Sequence, residues 1–167
     1  MSEPAHDLAD RFERTNEELI AFARGLSRIQ WRMLCPPEGR TVGVVVYHIA
    51  EGHVLTTEEA RSIALGESLP EGLVQSKEEA DRKNAEQALK HAACTQEETV
   101  DLLRRNGAAA VRMVRGLTDE QLDRVGFVWG NQGTVAELIE HVMIGHLASH
   151  FATLRAWAES EETGKAR

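Results

Sequence analysis

The sequence predicts an all-α bundle, and three observations carry that prediction. Four principal segments repeat apolar residues at helical spacing. Capping signatures of the Ser/Thr-x-x-Glu/Gln type recur at Ser27, Thr95 and Thr134. Alternating strand-like patterns are almost absent. With 167 residues, 42% of them hydrophobic, the chain is long enough to bury about two-thirds of its unfolded surface around one core, so a single domain over residues 1–167 is expected.

Residues 5–34 read as one long amphipathic helix, with Leu8, Phe12, Leu19, Phe22, Ala23, Leu26 and Ile29 inward. The pairing of Ser27 with Gln30 inside it predicts a break near Gly25, and Pro36-Pro37 ends the segment after Trp31 and Leu34. Glu38-Gly39-Arg40 is a turn, and Thr41 is a good N-cap for a helix over 42–65 that Gly66 closes. The opening of that helix, Val42 to Ile49, is apolar nearly all round and would suit a strand equally well; its polar continuation favours the helix. Residues 67–76, with Pro70 and Gly72, form a connection long enough for a crossover between the second and third main helices. Residues 77–93 are helical, charged and weakly amphipathic. Thr95 opens a further helix to about Gly116, with Val100, Leu103, Ala110, Val111 and Val114 inward. Residues 118–122 make a single helical turn, 126–133 a loop, and 159–167 a polar tail expected to fray.

Composition narrows the function classes. A formal charge of -8 with scattered Lys and Arg argues against nucleic-acid binding. There is no GxGxxG and no phosphate loop, and no apolar run approaches the roughly 20 residues of a membrane span. The N-terminus lacks the basic and apolar regions of a secretory signal, so a soluble, cytoplasmic protein is expected. Cys35 and Cys94 show no metal-knuckle spacing and read as reduced thiols.

The helix that Thr134 opens carries the chemistry. Thr134 and Glu137 form a capping box, and Val135, Leu138, Ile139, Val142, Ser149, Thr153 and Trp157 fall on one stripe that also contains His146 and His150. Four residues apart, the two imidazoles stack one turn above the other. Each buried ring needs partners for a donor and an acceptor, and a divalent metal would take one nitrogen from each. The bland alternative is a satisfied core pair. A metal needs at least one more ligand, and the candidates are His48, His53, His141, His6 and His91. His141 stands roughly 140° from His146 on an α-helical wheel and should face away; His6 and His91 sit among charged residues and read as solvated. On the second helix, periodicity favours His53 on the line of Val42, Val46 and Ile49, but the all-round apolar opening leaves the inward face undetermined.

The run GRTVGVVVYHIAEGH at 39–53 resembles the second-helix motif of the DinB-like four-helix-bundle metalloproteins, and GHLASH at 145–150 is similar to their HxxxH. Residues 27–31, Asn84-Ala85 and 116–123 agree in order, so the resemblance spans nearly the whole chain. It implies a DinB-like four-helix bundle with His48, His146 and His150 as ligands of one divalent metal, Zn²⁺ or Ni²⁺. The relatives it points to are the bacillithiol S-transferases and the metal-binding domain of mycothiol-dependent maleylpyruvate isomerase. The implied activity is metal-dependent transfer of a low-molecular-weight thiol to an electrophilic substrate, in a protein that is often a homodimer. The rivals are a metal-dependent hydrolase, a non-enzymatic metal-binding stress protein, and a metal-free helical module that binds a small molecule or a partner. The chain departs from the family at His150-Phe-Ala-Thr-Leu-Arg155, where many relatives carry a His-His-Arg-Gly-Gln-like run, and the extra C-terminal domain of the isomerases, with their specific activity, is not expected. Glu51, three residues past His48, is the candidate base or orienting acid, and Arg155 a candidate partner for a substrate carboxylate. Tyr47, Trp129 and Asn131 are nearby residues to weigh.

Overall fold

The computed structural model describes residues 2–165 apart from Gly72, Gln75 and Trp129, and so Trp129 lies outside the described residues. Ser2 caps α1 (Glu3–Gly25) by accepting from the Ala5 N–H. The chain breaks at Leu26, as the second capping box foretold, and Ser27 and Gln30 cap each other to open α2 (Arg28–Arg32). Ala5, Leu8, Phe12, Leu19, Ala23 and Leu26 are buried, but Ile29 is 77% exposed. The break restarts the helical phase, and α2 turns Trp31 to the core instead.

β1 (Leu34–Cys35) pairs antiparallel with β2 (Arg40–Thr41) around a 3₁₀ turn at Pro36–Glu38. Gly39 closes that turn with φ 64°, which glycine adopts without steric cost. Thr41 caps α3 (Val42–Leu65), and Gly66 ends it in the left-handed conformation. The choice of helix over strand for 42–65 holds. Val42, Val44, Val45, Val46 and Ile49 are all buried because α2 and the helices over 96–115 and 145–165 enclose the start of α3 from several sides.

A crossover leads to α4 (Lys77–Lys90), in which no residue is buried. α5 (Gln96–Arg115) lies along both α1 and α3 and buries the five apolar residues its period selected. α6 (Asp119–Leu122) is the single capped turn. Residues 125–134 depart from expectation. In place of a loop, β3 (Val125–Val128) and β4 (Asn131–Thr134) form an antiparallel hairpin with Gly130 at φ 74° in its turn. Glycines at 126 and 133 dilute the strand pattern there, and backbone pairing overrides it.

The last bundle helix has three parts: α7 (Val135–Leu138), a π-helical segment (Ile139–Ile144) and α8 (Gly145–Lys165). The π-helical segment overturns half of the expected apolar stripe. After Ile139 the buried positions are Met143, Ile144, Leu147, Phe151, Leu154 and Trp157, whereas Ser149 is exposed. Hydrogen bonding to the fifth residue instead of the fourth accommodates one extra residue, so every later core position before Trp157 arrives one place late. His146 and His150 thus lie beside the core stripe, half-buried, rather than within it. The helix also continues through the polar tail to Lys165, with Ser160 and Thr163 hydroxyls donating to preceding carbonyls. Both cysteines are free thiols, and among the described residues no helix is long and apolar enough to cross a membrane.

Candidate metal centre

Three imidazoles converge between α3 and α8. His48 Nε2 stands 3.0 Å from His146 Nε2, and the ring centroids of His48, His146 and His150 are 4.7–5.0 Å apart. One ring nitrogen from each lies within 4.8 Å of the other two. Nitrogens bound to one tetrahedral ion at about 2.0–2.1 Å stand roughly 3.3 Å apart, so this spacing suits a shared cation.

The outer nitrogens of two rings are held by groups distant in sequence. His48 Nδ1 lies 3.0 Å from Gln87 Oε1 on α4, and the Gln87 amide N–H donates in turn to the Glu51 carboxylate. That carboxylate fixes which way the amide faces, so Gln87 offers its oxygen and His48 carries its proton on Nδ1, leaving the Nε2 lone pair free. His150 Nδ1 lies 2.7 Å from Glu38 Oε1, and Glu38 Oε2 accepts from Arg40 Nη2 at 2.8 Å. The β1–β2 clip therefore supplies the second support. Burial pushes the Glu38 carboxyl up, but hydrogen bonds and charges from His150 and Arg40 outweigh it and hold the group at about 2. Burial, with the Arg40 and His150 charges, lowers His48 to about 4. Burial, with the neighbouring rings, lowers His146 to about 3. At neutral pH both are uncharged rings with a lone pair to give, which is the form a metal takes.

His53, which the wheel favoured, is not in this cluster. It is 1% exposed, its Nε2 lies 2.8 Å from Asn16 Oδ1, and its ring packs edge-on against Phe12. Burial lowers it to about 3, so it is a neutral core histidine with a partner. Five residues from His53, His48 points to the other side of α3, toward α4 and α8. His141 is exposed yet lines the same cavity as the three rings. Across a π-helical segment, residues five apart come close to alignment, so the α-helical expectation that it faces away fails. His6 and His91 are half-buried rather than solvated: His91 stacks on Tyr47 at 4.0 Å and sits 3.7 Å from Glu51. Arg155 is exposed, its guanidinium 5.6 Å from the Phe151 ring, and is absent from the cavity wall. Asn131 and Glu51 do line the cavity.

The rings open onto a cavity of about 940 Å³ bounded by α3, α4, the β3–β4 hairpin and the last helix. That volume is of the size small-molecule sites use. Glu38, Arg40, Gln87 and Glu59 complete the picture, and none was singled out by sequence reasoning. Gln87 lies on a helix with no apolar signal, and Glu38 reaches His150 across 112 positions.

A family model for the DinB superfamily matches residues 11–154. The chain belongs to the DinB superfamily. No curated protein sequence matches it. Among solved structures, this DinB-superfamily chain is similar to YfiT from Bacillus subtilis, described as a probable metal-dependent hydrolase with an unusual four-helix bundle topology. The two share 16% identity and a TM-score of 0.75 over 97% of this chain and 90% of YfiT, a likeness of fold.

Proposed function

We propose that this DinB-superfamily protein holds one divalent metal through His48, His146 and His150 and transfers a low-molecular-weight thiol to an electrophile bound in the adjoining cavity. The observation that carries this reading is the convergence of three imidazoles at the end of that cavity, with the outer nitrogens of His48 and His150 anchored. An ion held by the three rings would supply Lewis-acid chemistry there by lowering the pKa of a thiol or a water. Borderline nitrogen donors suit Zn²⁺ or Ni²⁺. Gln87 and Glu38 orient the ligand rings, and Glu51 locks Gln87. These residues position the histidines and leave the open face of the site to substrate.

Hydrolysis is the second reading, favoured by the description of YfiT. Thiol transfer is preferred for a chemical reason. Hydrolysis calls for a free acid or base beside the metal to shuttle protons, but Glu38 is bound to His150 and Arg40, and Glu51 to Gln87. A thiol is far more acidic than water, so the ion alone would favour its thiolate, with the proton released to solvent.

Metal analysis of the purified protein should find about one ion per chain, lost in His48→Ala and retained in His53→Ala. A panel of thiols with an electrophilic dye should then show turnover that His150→Ala abolishes. Metal kept in His48→Ala would sink the ligand assignment; turnover of esters but not of thiol and dye would shift the function to hydrolysis.

A further inference from the structure

Glu59 is an acid for which the metal centre has no use. It stands on α3 eleven residues after His48, roughly 16 Å along the axis, and with Gly52, Leu55 and Thr56 it belongs to the face that lines the cavity. The residue is 5% exposed, and no hydrogen bond or ion pair to it occurs among the described residues; its oxygens are not among the fully enclosed unpartnered atoms, so they reach the cavity. Burial is the sole influence on its carboxyl and pushes it up to about 7. A buried, unpaired carboxyl is costly, and in a cavity wall it is a group that lacks a partner only until a ligand brings one.

The rest of the wall points to the charge of that ligand. Its carboxylates are Glu51, Glu59 and Glu137, set against the single ammonium of Lys83. Glu51 is engaged by Gln87, and Glu137 closes the capping box of α7 with Thr134. Lys83 lies 3.4 Å from Glu79 and does not perturb Glu59. Three of the wall's four histidines are those of the candidate metal centre, and the fourth, His141, is exposed. Leu55, Leu73 and Val74 supply apolar wall for an alkyl stem. A neutral hydroxyl would give Glu59 one hydrogen bond, whereas an ammonium gives a charge-assisted one and favours the ionised acid.

We propose that Glu59 anchors the cationic amino group of an elongated substrate whose reactive end lies at the three histidines. The inference rests on reading this cavity as the substrate site and not on the metal being present. Chelator-treated protein, in which an amine cannot coordinate a metal, is the material for the test. Binding of hexylamine, 1-hexanol and hexanoate at pH 7.5 is measured by calorimetry on wild type, Glu59→Gln and Glu59→Asp. Hexylamine should bind at least tenfold more tightly than hexanol, with hexanoate weakest. Glu59→Gln should bring hexylamine to the level of hexanol, with the thermal midpoint unchanged or higher, while Glu59→Asp keeps part of the preference. Equal binding of amine and alcohol, or an amine affinity that survives Glu59→Gln, overturns the proposal. If amine binding holds but the untreated protein contains no metal, only the metal reading fails; metal without amine preference removes only this one.

Discussion

Gly52 faces the His146 ring so closely that a Cβ there would stand 2.6 Å from His146 Cε1. The ring lies across the backbone of α3 in space that only glycine leaves. A Gly52→Ala variant should therefore separate stability from metal binding. Alanine is favoured by about 0.5–1 kcal/mol within a helix, which offsets the crowding, while a displaced ring should weaken metal affinity at least tenfold. Competition with a chromophoric chelator, alongside a denaturant melt, checks this; unchanged affinity would show that His146 can move freely. Glu59 gives a second residue-level expectation through its raised carboxyl. The folded protein keeps a proton there up to about 7, whereas the unfolded chain releases it near 4.5, so this group's contribution to stability falls as pH rises between those values. Glu59→Gln removes the effect. Its stability gain over wild type should be larger at pH 8 than at pH 4.5 by about 2 kcal/mol, read from urea melts at the two values. At this scale the sequence reveals half of the site. The spacing of His146 and His150 is visible as a pair one turn apart. His48 is singled out only through resemblance to a family, because α3 is apolar on every side near its start. Gln87 and Glu38 have no local signal, since what gives them a role is the ring each one meets after folding.

The π-helical segment from Ile139 to Ile144 is the element that periodicity alone could not reveal. Its cost is a register change of one residue, and its effect is visible in which side chains reach the core. Before it, Val135 and Leu138 are buried; within it, Ile139, Met143 and Ile144; after it, Leu147, Phe151 and Leu154. Removing one residue inside the segment would convert it to regular α-helix while leaving both flanking halves in phase with the core. Deleting His141, an exposed residue, should thus leave a cooperatively folding protein that still binds one metal. Deleting Ala148, also exposed but within α8, has no such slack to absorb it. It should turn His150 about 100° relative to His146 and abolish metal binding. Thermal melts and metal analysis of the two deletions make the comparison; equal damage from both would mean that the π-helical segment is not the source of the shift. Elsewhere the elements follow local rules. Thr41, Thr95 and Thr134 all cap as their sequence contexts indicate. The β3–β4 hairpin is missed because its glycines hide a pairing that depends on backbone hydrogen bonds.

The bundle itself is legible from the sequence because its core is made by long-period patterns that need no knowledge of the partner. How its helices are clasped at one end depends on contacts across 98 and 112 residues, which no local pattern records. A metal held by the three rings would therefore link the early and late halves of the chain. The core around α1, α3 and α5 is apolar and continuous without it. The protein stripped of metal should consequently stay folded, with its helical content intact. An ion that binds only the folded form, present at 1,000 times its dissociation constant, adds about 4 kcal/mol, which for a chain of this size corresponds to a thermal midpoint roughly 10 °C higher. Chelator should lower the midpoint of wild type by that order and leave His48→Ala unaffected, and re-addition of the ion should restore wild type alone. Differential scanning calorimetry with helical content followed in parallel measures both sides. A midpoint insensitive to chelator in protein shown to carry metal would place the ion away from these three rings, whereas loss of helical content would mean that the apolar core cannot hold the bundle without it.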